Sequence, residues 1–263
     1  MPDAATCGAC AAASPKLELR GVCQRYRGSR GETLALDGFD LRVAAHESVA
    51  ILGPSGCGKS TSLLAACGLQ HPTEGEVLVD GVNVRDYTLK ALRDKIGYVP
   101  QQSFLFKGTI ASNVAYGDTE RNDADVKTAC DVAQATEFID KKDKKYDSGI
   151  AQGGSNVSGG QKQRLSIARA VYRHPEILIF DDSFSALDFK TDRAVRDALE
   201  REAKDSTKLI VAQRIGTIMN ADRIIVLDDG KVVGQGTHHE LLDNCEVYRQ
   251  IAESQLSEDE LNR

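Results

Sequence analysis

The stretch GPSGCGKST, residues 53–61, constrains the fold of this chain most, because it dictates the elements on both sides of it. An apolar run precedes it at residues 49–52, and a helical pattern follows it at residues 62–69. Strand, glycine loop and helix is the order that a phosphate-binding loop requires. Its glycines lack a Cβ, so the backbone N–H groups can point inward and a polyphosphate can approach closely. The stretch, called the phosphate loop below, therefore predicts a nucleotide site.

Two side chains of the phosphate loop have the chemistry of such a site. Lys59 can reach terminal phosphates and Ser60 offers a hydroxyl to Mg²⁺, while the helix start adds partial positive charge. A merely flexible glycine loop would leave both residues unexplained. Cys57 lies in the same loop, where we expect a bulky thiol adduct to block nucleotide. The expected nucleotide contacts in the loop are Gly53, Ser55, Gly56, Cys57, Gly58, Lys59, Ser60 and Thr61.

Size and charge narrow the class of protein. A chain of 263 residues, 41% of them hydrophobic, can bury a full core as one large domain or as a domain with a lobe. Its net charge of −6 gives no general attraction to nucleic acid, so no nucleic-acid partner is expected. The longest purely apolar runs have five residues, far fewer than the ~18 that a membrane-spanning helix needs. We therefore expect no membrane span in this chain.

The two ends of the chain carry weak folding signals. The start, MPDAATCGACAAAS, lacks the basic residues and the long apolar segment of a secretory signal, so we expect a cytosolic protein with a flexible N-terminal tail, residues 1–15. A polar C-terminal tail is expected at residues 256–263. Cys7 and Cys10 form a single CxxC without a second pair, which favours a tail over a metal site. The seven cysteines, an odd number, fit a reducing compartment.

Strand and helix patterns alternate along the rest of the chain. Short apolar stretches separated by turn residues at 17–52 predict an antiparallel sheet, and Tyr26 within it is either an adenine-stacking aromatic or a packing residue. Helical signals at 109–147 predict a helical insertion. Strands that alternate with helices around a phosphate loop predict a parallel sheet wrapped by helices. This is an α/β fold.

Polar side chains stand at the ends of two predicted core strands. Gln101 follows the strand IGYVP, and Asp181 and Asp182 end the apolar strand PEILIFDD. Polar residues just past core strands point into the crevice where α/β sheets bind ligands. We expect Gln101 to contact a metal or water, Asp181 to hold Mg²⁺ through water, and Asp182 to face the γ-phosphate. The alternative for the two aspartates is a capping pair at a strand end.

A second anion site is predicted in the stretch NVSGGQKQRLSIARA, residues 156–170. Ser158 and Gln161 form a capping box for a helix, while Gly159 and Gly160 keep its entrance free of side chains. A serine-capped, glycine-flanked helix start attracts anions. One chain with two phosphate-binding ends raises the question of whether both meet on the same nucleotide.

Taken together, these residues resemble the nucleotide-binding domain of ATP-binding cassette (ABC) transporters, and the likeness covers residues 17–253. The phosphate loop resembles the Walker A motif of the family and Gln101 its Q-loop glutamine. In the family's order follow its signature, its Walker B motif and its D-loop, which here read VSGGQ, ILIFD and SALD. The phrases FKGTIASNVAYG and THHELL are typical of exporters rather than importers.

The resemblance implies a fold, a cofactor and partners. The fold is that of a P-loop NTPase: an ABC nucleotide-binding domain at residues 16–255, with a RecA-like parallel sheet core, an N-terminal antiparallel β lobe and a helical subdomain at about 103–173. The cofactors are ATP and Mg²⁺, and Tyr26 falls where the family's adenine-stacking aromatic sits. Two such domains pair head to tail, beside a transmembrane domain at the cytoplasmic face of the cell membrane. In such a pair Ser158, Gly159, Gly160 and Gln161 grip a nucleotide held by the partner.

The chain departs from the family at its reaction centre. Asp182 replaces the catalytic glutamate and Gln213 replaces the switch histidine, while Gln152 stands where exporters usually carry a glutamate. Such substitutions resemble the degenerate chain of heterodimeric exporters. They predict a site with catalytic positions Lys59, Asp182 and Gln213 that binds ATP tightly and hydrolyses it slowly, alone at low activity, and a partner with an intact glutamate and histidine.

Several alternatives stay open. Aspartate could substitute adequately in a homodimer, or the chain could be a nucleotide-sensing scaffold that never hydrolyses. A soluble ABC ATPase of DNA repair, chromosome structure or translation is disfavoured, because the motifs here enclose no coiled coil, zinc insertion or second cassette. We expect an excised domain of a longer transporter rather than a separately encoded subunit. The cargo is not encoded in these residues.

Overall fold

A computed structural model describes residues 14–28, 31–257 and 261. Cys7 and Cys10 lie outside these residues. Within them, no helix combines the length and the apolar character needed to cross a membrane. The strands are β1 (Leu17–Gly28), β2 (Gly31–Val43), β3 (Ser48–Leu52), β4 (Glu74–Val79), β5 (Val82–Asn83), β6 (Ile96–Val99), β7 (Gly108–Thr109), β8 (Gly149–Ile150), β9 (Ile177–Asp181), β10 (Thr207–Val211), β11 (Arg223–Asp228) and β12 (Lys231–Gly236). The α-helices are α1 (Lys59–Ala66), α2 (Leu89–Lys95), α3 (Ile110–Val114), α4 (Asp123–Val132), α5 (Thr136–Asp140), α6 (Gly159–Tyr172), α7 (Phe189–Glu202), α8 (Ile215–Ile218), α9 (His238–Asn244) and α10 (Glu246–Glu253).

The central sheet has six strands in the order β12-β11-β3-β10-β9-β6. All its neighbours pair in parallel except β12, which runs antiparallel to β11. Both faces are buried, because alternate residues of β3 enter different apolar clusters: Val49 and Ile51 enter one, and Ala50 and Leu52 the other. The predicted parallel sheet is confirmed.

The predicted antiparallel lobe is also confirmed. It is a four-stranded sheet in the order β2-β1-β4-β5. An Asp80-Gly81 turn joins β4 to β5, and both residues have positive φ, 51° and 76°. Leucines of this lobe, such as Leu36 and Leu41, share one apolar cluster with Leu63 of α1 and with one face of the central sheet. The lobe therefore packs directly behind the phosphate loop helix.

The expected helical subdomain contains α3 to α6, and its helices share a buried cluster with the other face of the central sheet. The predicted cap at Asn122 is present, since its side chain accepts a hydrogen bond from the amide of Ala124. Inside this part, Asn113 is 1% exposed and its side chain bonds both the amide and the carbonyl of Phe106, at 2.8 and 2.9 Å. Arg169 of α6 reaches the same asparagine at 2.9 Å. These contacts fix the segment that follows Gln101.

The C-terminal end differs from the expected polar tail. Helix α10 ends at Glu253, but Leu256 and Leu261 beyond it are partly buried against the main apolar cluster. The amide of Leu261 donates to the carbonyl of Ser257 at 3.0 Å. Two leucines among polar residues were too sparse to predict this packing. Leu256 and Leu261 therefore lie on the core, and Gln255 beside them contacts the loop that follows β10.

Candidate functional site

The phosphate loop needs glycine for two different reasons. A Cβ on Gly53 would lie 2.0 Å from the carbonyl oxygen of Leu227, so the backbone there approaches β11 too closely for any side chain. Gly58 has a φ of 105°, and its Cβ would meet the carbonyl oxygen of Ala35 at 2.3 Å. The lobe and the central sheet thus contact the loop from both sides. These contacts hold its curved backbone before α1 begins at Lys59.

The Lys59 ammonium lies over the loop as predicted for a phosphate contact. Its Nζ donates to the carbonyls of Gly53 and Pro54, each at 2.6 Å, and lies 3.6 Å from the sulfur of Cys57. Cys57 itself is only 4% exposed. A thiol reagent must therefore open the loop to reach it, and the expected block by an adduct stays a prediction.

A pair of oxygen ligands lies beside the loop. The Ser60 hydroxyl donates to Oδ1 of Asp181 at 3.0 Å, and the Tyr98 hydroxyl donates to Oδ2 at 3.3 Å. Burial raises the pKa of Asp181 above its usual value, and the nearby Asp182 charge acts in the same direction, against the two hydrogen bonds. Burial likewise raises the pKa of Tyr98. No sequence pattern pointed to Tyr98, because its contact with Asp181 depends on the pairing of β6 with β9.

These oxygens fit Mg²⁺. No group of three or more His, Cys, Asp or Glu side chains that could hold a metal occurs among the described residues. Mg²⁺ does not require one, because it usually takes one or two carboxylates, waters and substrate phosphates. Ser60 and Asp181 supply hard oxygen atoms of that kind, and a cation there would favour the ionised form of the buried carboxylate. Ser60 and Asp181 would hold the ion, which would neutralise charge on bound phosphates.

The structure brings Asp182, Gln213 and Gln101 together. Oδ2 of Asp182 accepts a hydrogen bond from Nε2 of Gln213 at 2.8 Å and another from Nε2 of Gln101 at 3.2 Å. Asp182 is 6% exposed and has a φ of 44°, a rare conformation for a non-glycine residue that recurs at functional sites. Neither aspartate caps a helix, since α7 is capped by Asp188. The helix cap thus comes from Asp188, and the roles of the two aspartates toward Mg²⁺ and phosphate stay predictions.

Tyr26 lies at the surface of the antiparallel lobe. It lies on β1 with 40% of its surface exposed. Its hydroxyl donates to Oε1 of Gln70 at 2.8 Å and lies 3.5 Å from the hydroxyl of Thr61 in α1. An exposed ring next to the phosphate loop helix is available for stacking, which stays a prediction.

The predicted capping box at the signature, residues 157–161, is confirmed. The Gln161 amide donates to the Ser158 hydroxyl oxygen at 3.3 Å, and the Ser158 amide donates to Oε1 of Gln161 at 3.1 Å. A Cβ on Gly159 would meet nothing within 4 Å, and one on Gly160 would meet only ordinary contacts. Nothing within the described chain therefore requires a glycine at 159, and this helix start is exposed to solvent.

The two predicted anion sites do not meet within this chain. In the described part, no hydrogen bond or ion pair joins Ser158 or Gln161 to the phosphate loop. Both bonds of the signature's capping box are local to it. Among the described residues, the two predicted phosphate-binding ends are therefore not joined by a direct hydrogen bond or ion pair of these groups.

Arg214, which sequence reasoning missed, links two loops of the site. Its guanidinium donates to the carbonyls of Ser185 and Leu187, at 3.1 and 3.4 Å, and lies 5.0 Å from the ring centroid of Phe189. The Phe189 side chain is 78% exposed. An arginine directly after Gln213 was the one available signal, but its partners follow only from the fold.

Comparison with known proteins identifies the family. The family model described as ABC transporter matches residues 36–185, more than half of the chain. The chain belongs to the ABC transporter family. The matched range runs from the β lobe through the phosphate loop, the signature and Asp182. It thus contains every predicted site residue except Tyr26 and Gln213.

Several ABC proteins are similar to this chain over nearly its whole length. An uncharacterized ABC transporter ATP-binding protein of Mycobacterium tuberculosis is 43% identical over 242 residues, which cover 91% of this chain and 41% of that protein. An ATP-dependent lipid A-core flippase of Escherichia coli is 40% identical over 247 residues, 94% of this chain and 42% of the flippase. A bacterial Atm1-family ABC exporter with ATP bound matches with a TM-score of 0.87 and 36% identity, over 98% of this chain and 45% of that chain. The chain therefore spans less than half the length of these ABC relatives.

The Tyr26 ring provides a test of nucleotide contact. We expect Tyr26→Ala to weaken Mg·ATP binding about tenfold, because stacking of an aromatic ring on a base contributes ~1–3 kcal/mol. Tyr26→Phe keeps the ring and loses only the hydroxyl contacts with Gln70 and Thr61, so its affinity is expected to stay near wild type. Isothermal titration with Mg·ATP measures both. Equal affinity of the alanine variant and the wild type would exclude stacking.

Proposed function

We propose that this chain is the ATP-binding and ATP-hydrolysing domain of an ABC exporter, in which ATP binding and hydrolysis drive transport across a membrane. The observation that carries the proposal is the pairing of Ser60 with Asp181 beside the phosphate loop. This hydrogen bond places the two residues that would hold Mg²⁺ next to the loop that would hold the phosphates. The likeness to a lipid A-core flippase and to an Atm1-family exporter supports the export class.

The exposed signature supports a second nucleotide-binding domain as partner. Gly159 has no contact within the described chain that needs a glycine, and Ser158 tips a 14-residue helix, α6, with its amide end toward solvent. Such a helix start is suited to an anion supplied from outside. We propose that it covers the ATP that a partner domain holds on its own phosphate loop, in a head-to-tail pair.

An exposed aromatic surface supports docking of a transmembrane domain. Phe104 is 47% exposed and Tyr116 49% exposed, and the rings of Phe106 and Tyr116 stack with centroids 4.3 Å apart. Gln152 joins this surface, since its Oε1 accepts from the amide of Lys107 at 3.3 Å. Exposed apolar side chains grouped in this way are typical of protein interfaces. The domain would then sit at the cytoplasmic face of the membrane.

The bonds around Asp182 support a slow site in this chain. Oδ2 of Asp182 already accepts hydrogen bonds from the amides of Gln213 and Gln101, so this oxygen is engaged by protein rather than directed at a water. An aspartate also reaches about 1 Å less far than a glutamate, and misplacement on that scale can lower a rate ~100-fold. Gln213 cannot take or give a proton as histidine does. We propose that hydrolysis proceeds mainly at the site of a partner that supplies glutamate and histidine.

Restoring the family residues tests the slow-site proposal. We expect Asp182→Glu combined with Gln213→His to raise the Mg·ATP turnover of the chain at least tenfold, because the base then reaches the water and the switch residue can exchange protons. The steady-state release of phosphate measures this. The same double variant with Lys59→Ala serves as control and is expected to lose the gain.

Two outcomes would contradict the slow-site proposal. Robust turnover by the wild-type chain alone would show that Asp182 suffices. No gain in the restored variant, with Mg·ATP binding intact, would instead favour a scaffold that binds nucleotide without hydrolysing it.

A charge at position 159 tests the head-to-tail partner. We expect Gly159→Asp to abolish Mg·ATP-dependent dimerisation, because the carboxylate would repel the phosphates that the signature covers. Folding should not suffer, since the position is open and an acidic residue suits a helix start. Light scattering with and without Mg·ATP measures the dimer. Gly149→Asp, also at an open position, is the control of equal charge, and a dimer of Gly159→Asp like that of the control would contradict the proposal.

A further inference from the structure

The loop between β10 and α8, residues 212–214, carries Gln213 and is called the switch loop here. The Gln213 side chain is directed at Asp182, with 2.8 Å between Nε2 and Oδ2. Its position depends on the backbone of the loop, because the side chain itself is exposed to solvent and makes this single side-chain hydrogen bond among the described residues. What holds the loop backbone therefore decides where the Gln213 amide lies.

Gln255, 42 residues further along the chain, holds that backbone with both ends of its side-chain amide. Its Nε2 donates to the carbonyl of Gln213 at 2.8 Å, and its Oε1 accepts from the amide of Ile215 at 2.9 Å. The two bonds flank Arg214 and bridge the loop. Only a carboxamide side chain offers a donor and an acceptor side by side without charge.

Contacts of α10 and of the residues after it hold Gln255 in place. The amide of Gln255 donates to the carbonyl of Ala252 at 3.0 Å, and Leu256 packs against the main apolar cluster. Earlier in α10, Tyr248 is fully buried, with its hydroxyl 2.6 Å from Nδ1 of His238. These contacts anchor the end of α10, so Gln255 approaches the switch loop from a rigid support.

We infer that Gln255 is a positioning residue that sets the switch loop so that residue 213 faces Asp182 and the terminal phosphate of bound ATP. Gln255 acts only through the loop backbone, since neither of its bonds reaches Asp182. On the opposite side Arg214 ties the same loop to Ser185 and Leu187. The contact with the phosphate rests on the function proposed above, whereas the hold on the loop does not.

The first experiment measures only whether Gln255 holds the backbone of the switch loop. Hydrogen exchange of the Ile215 amide, followed by NMR in the nucleotide-free chain, is expected to become at least fivefold faster in Gln255→Ala, because its acceptor is removed. Gln255→Glu keeps an acceptor for this amide and is expected to retain most of the protection. Gln250→Ala is the matched control, since that exposed residue of α10 bonds only Glu246 of the same helix. An unchanged exchange rate in Gln255→Ala would overturn the inference.

The second experiment measures the consequence for nucleotide. We expect Gln255→Ala to weaken Mg·ATP binding about three- to tenfold and to leave Mg·ADP binding unchanged, because only ATP has the phosphate that residue 213 faces. In a Gln213→Ala background the Gln255 change should add nothing, since the side chain that it positions is gone. A loss of similar size for both nucleotides would show a merely structural role and overturn the inference.

The two proposals fail in distinguishable ways. If Gln213→Ala weakens Mg·ATP selectively but Gln255→Ala does not, the positioning role is wrong and the proposed function stands. If Gln213→Ala binds both nucleotides as the wild type does, the proposed contact of Gln213 with the terminal phosphate is wrong. The Ile215 exchange rate then still decides whether Gln255 holds the loop.

Discussion

The parallel pairing of β3, β10, β9 and β6 is the constraint on which the whole site depends. Val211 of β10 lies opposite Ile51 on one side and Asp181 on the other, and Val99 lies opposite Phe180. All these strands therefore end at one edge of the sheet. The phosphate loop, Asp182, Gln213 and Gln101 are far apart in sequence, but each comes just after the end of one of these strands. This is the edge at which α/β sheets bind ligands.

Electrostatics at that edge favour a charged ligand. Burial raises the pKa of Asp181, so the ionised carboxylate is less stable there than in water and its ionisation at neutral pH reduces the stability of the fold. Hydrogen bonds from Ser60 and Tyr98 offset part of this cost. A divalent cation would offset more, and the Lys59 ammonium would add to its charge. Mg·ATP is therefore expected to stabilise the folded chain as it binds.

Local signals in the sequence predicted much of this structure. The capping box at Ser158 and the apolar core strands depend on neighbours within a few residues, and all are present. The glycine loop predicted the order of a strand, a curved loop and a helix. That prediction depends on Gly53 and Gly58, because neither position in the loop has room for a side chain.

Contacts between distant segments could not be predicted in this way. Tyr98, Arg214 and Gln255 act on the site through bonds that span 27 to 83 positions, and nothing in their surrounding residues indicates such partners. The exposure of Tyr26 follows only from how the lobe meets α1, which the alternation of apolar residues in β1 does not specify. The leucines beyond α10 were missed because two apolar residues define no periodicity.

The central claim is that the phosphate loop binds Mg·ATP through Lys59, and a calorimetric titration tests it most directly. The account predicts saturable binding of Mg·ATP by the wild-type chain and a loss of at least tenfold in affinity for Lys59→Ala, whose ammonium lies over the loop. Lys90→Ala, which removes an exposed lysine paired with Asp94 in α2, should bind as the wild type does. Absence of binding by the wild type, or full retention of affinity in Lys59→Ala, would contradict the account.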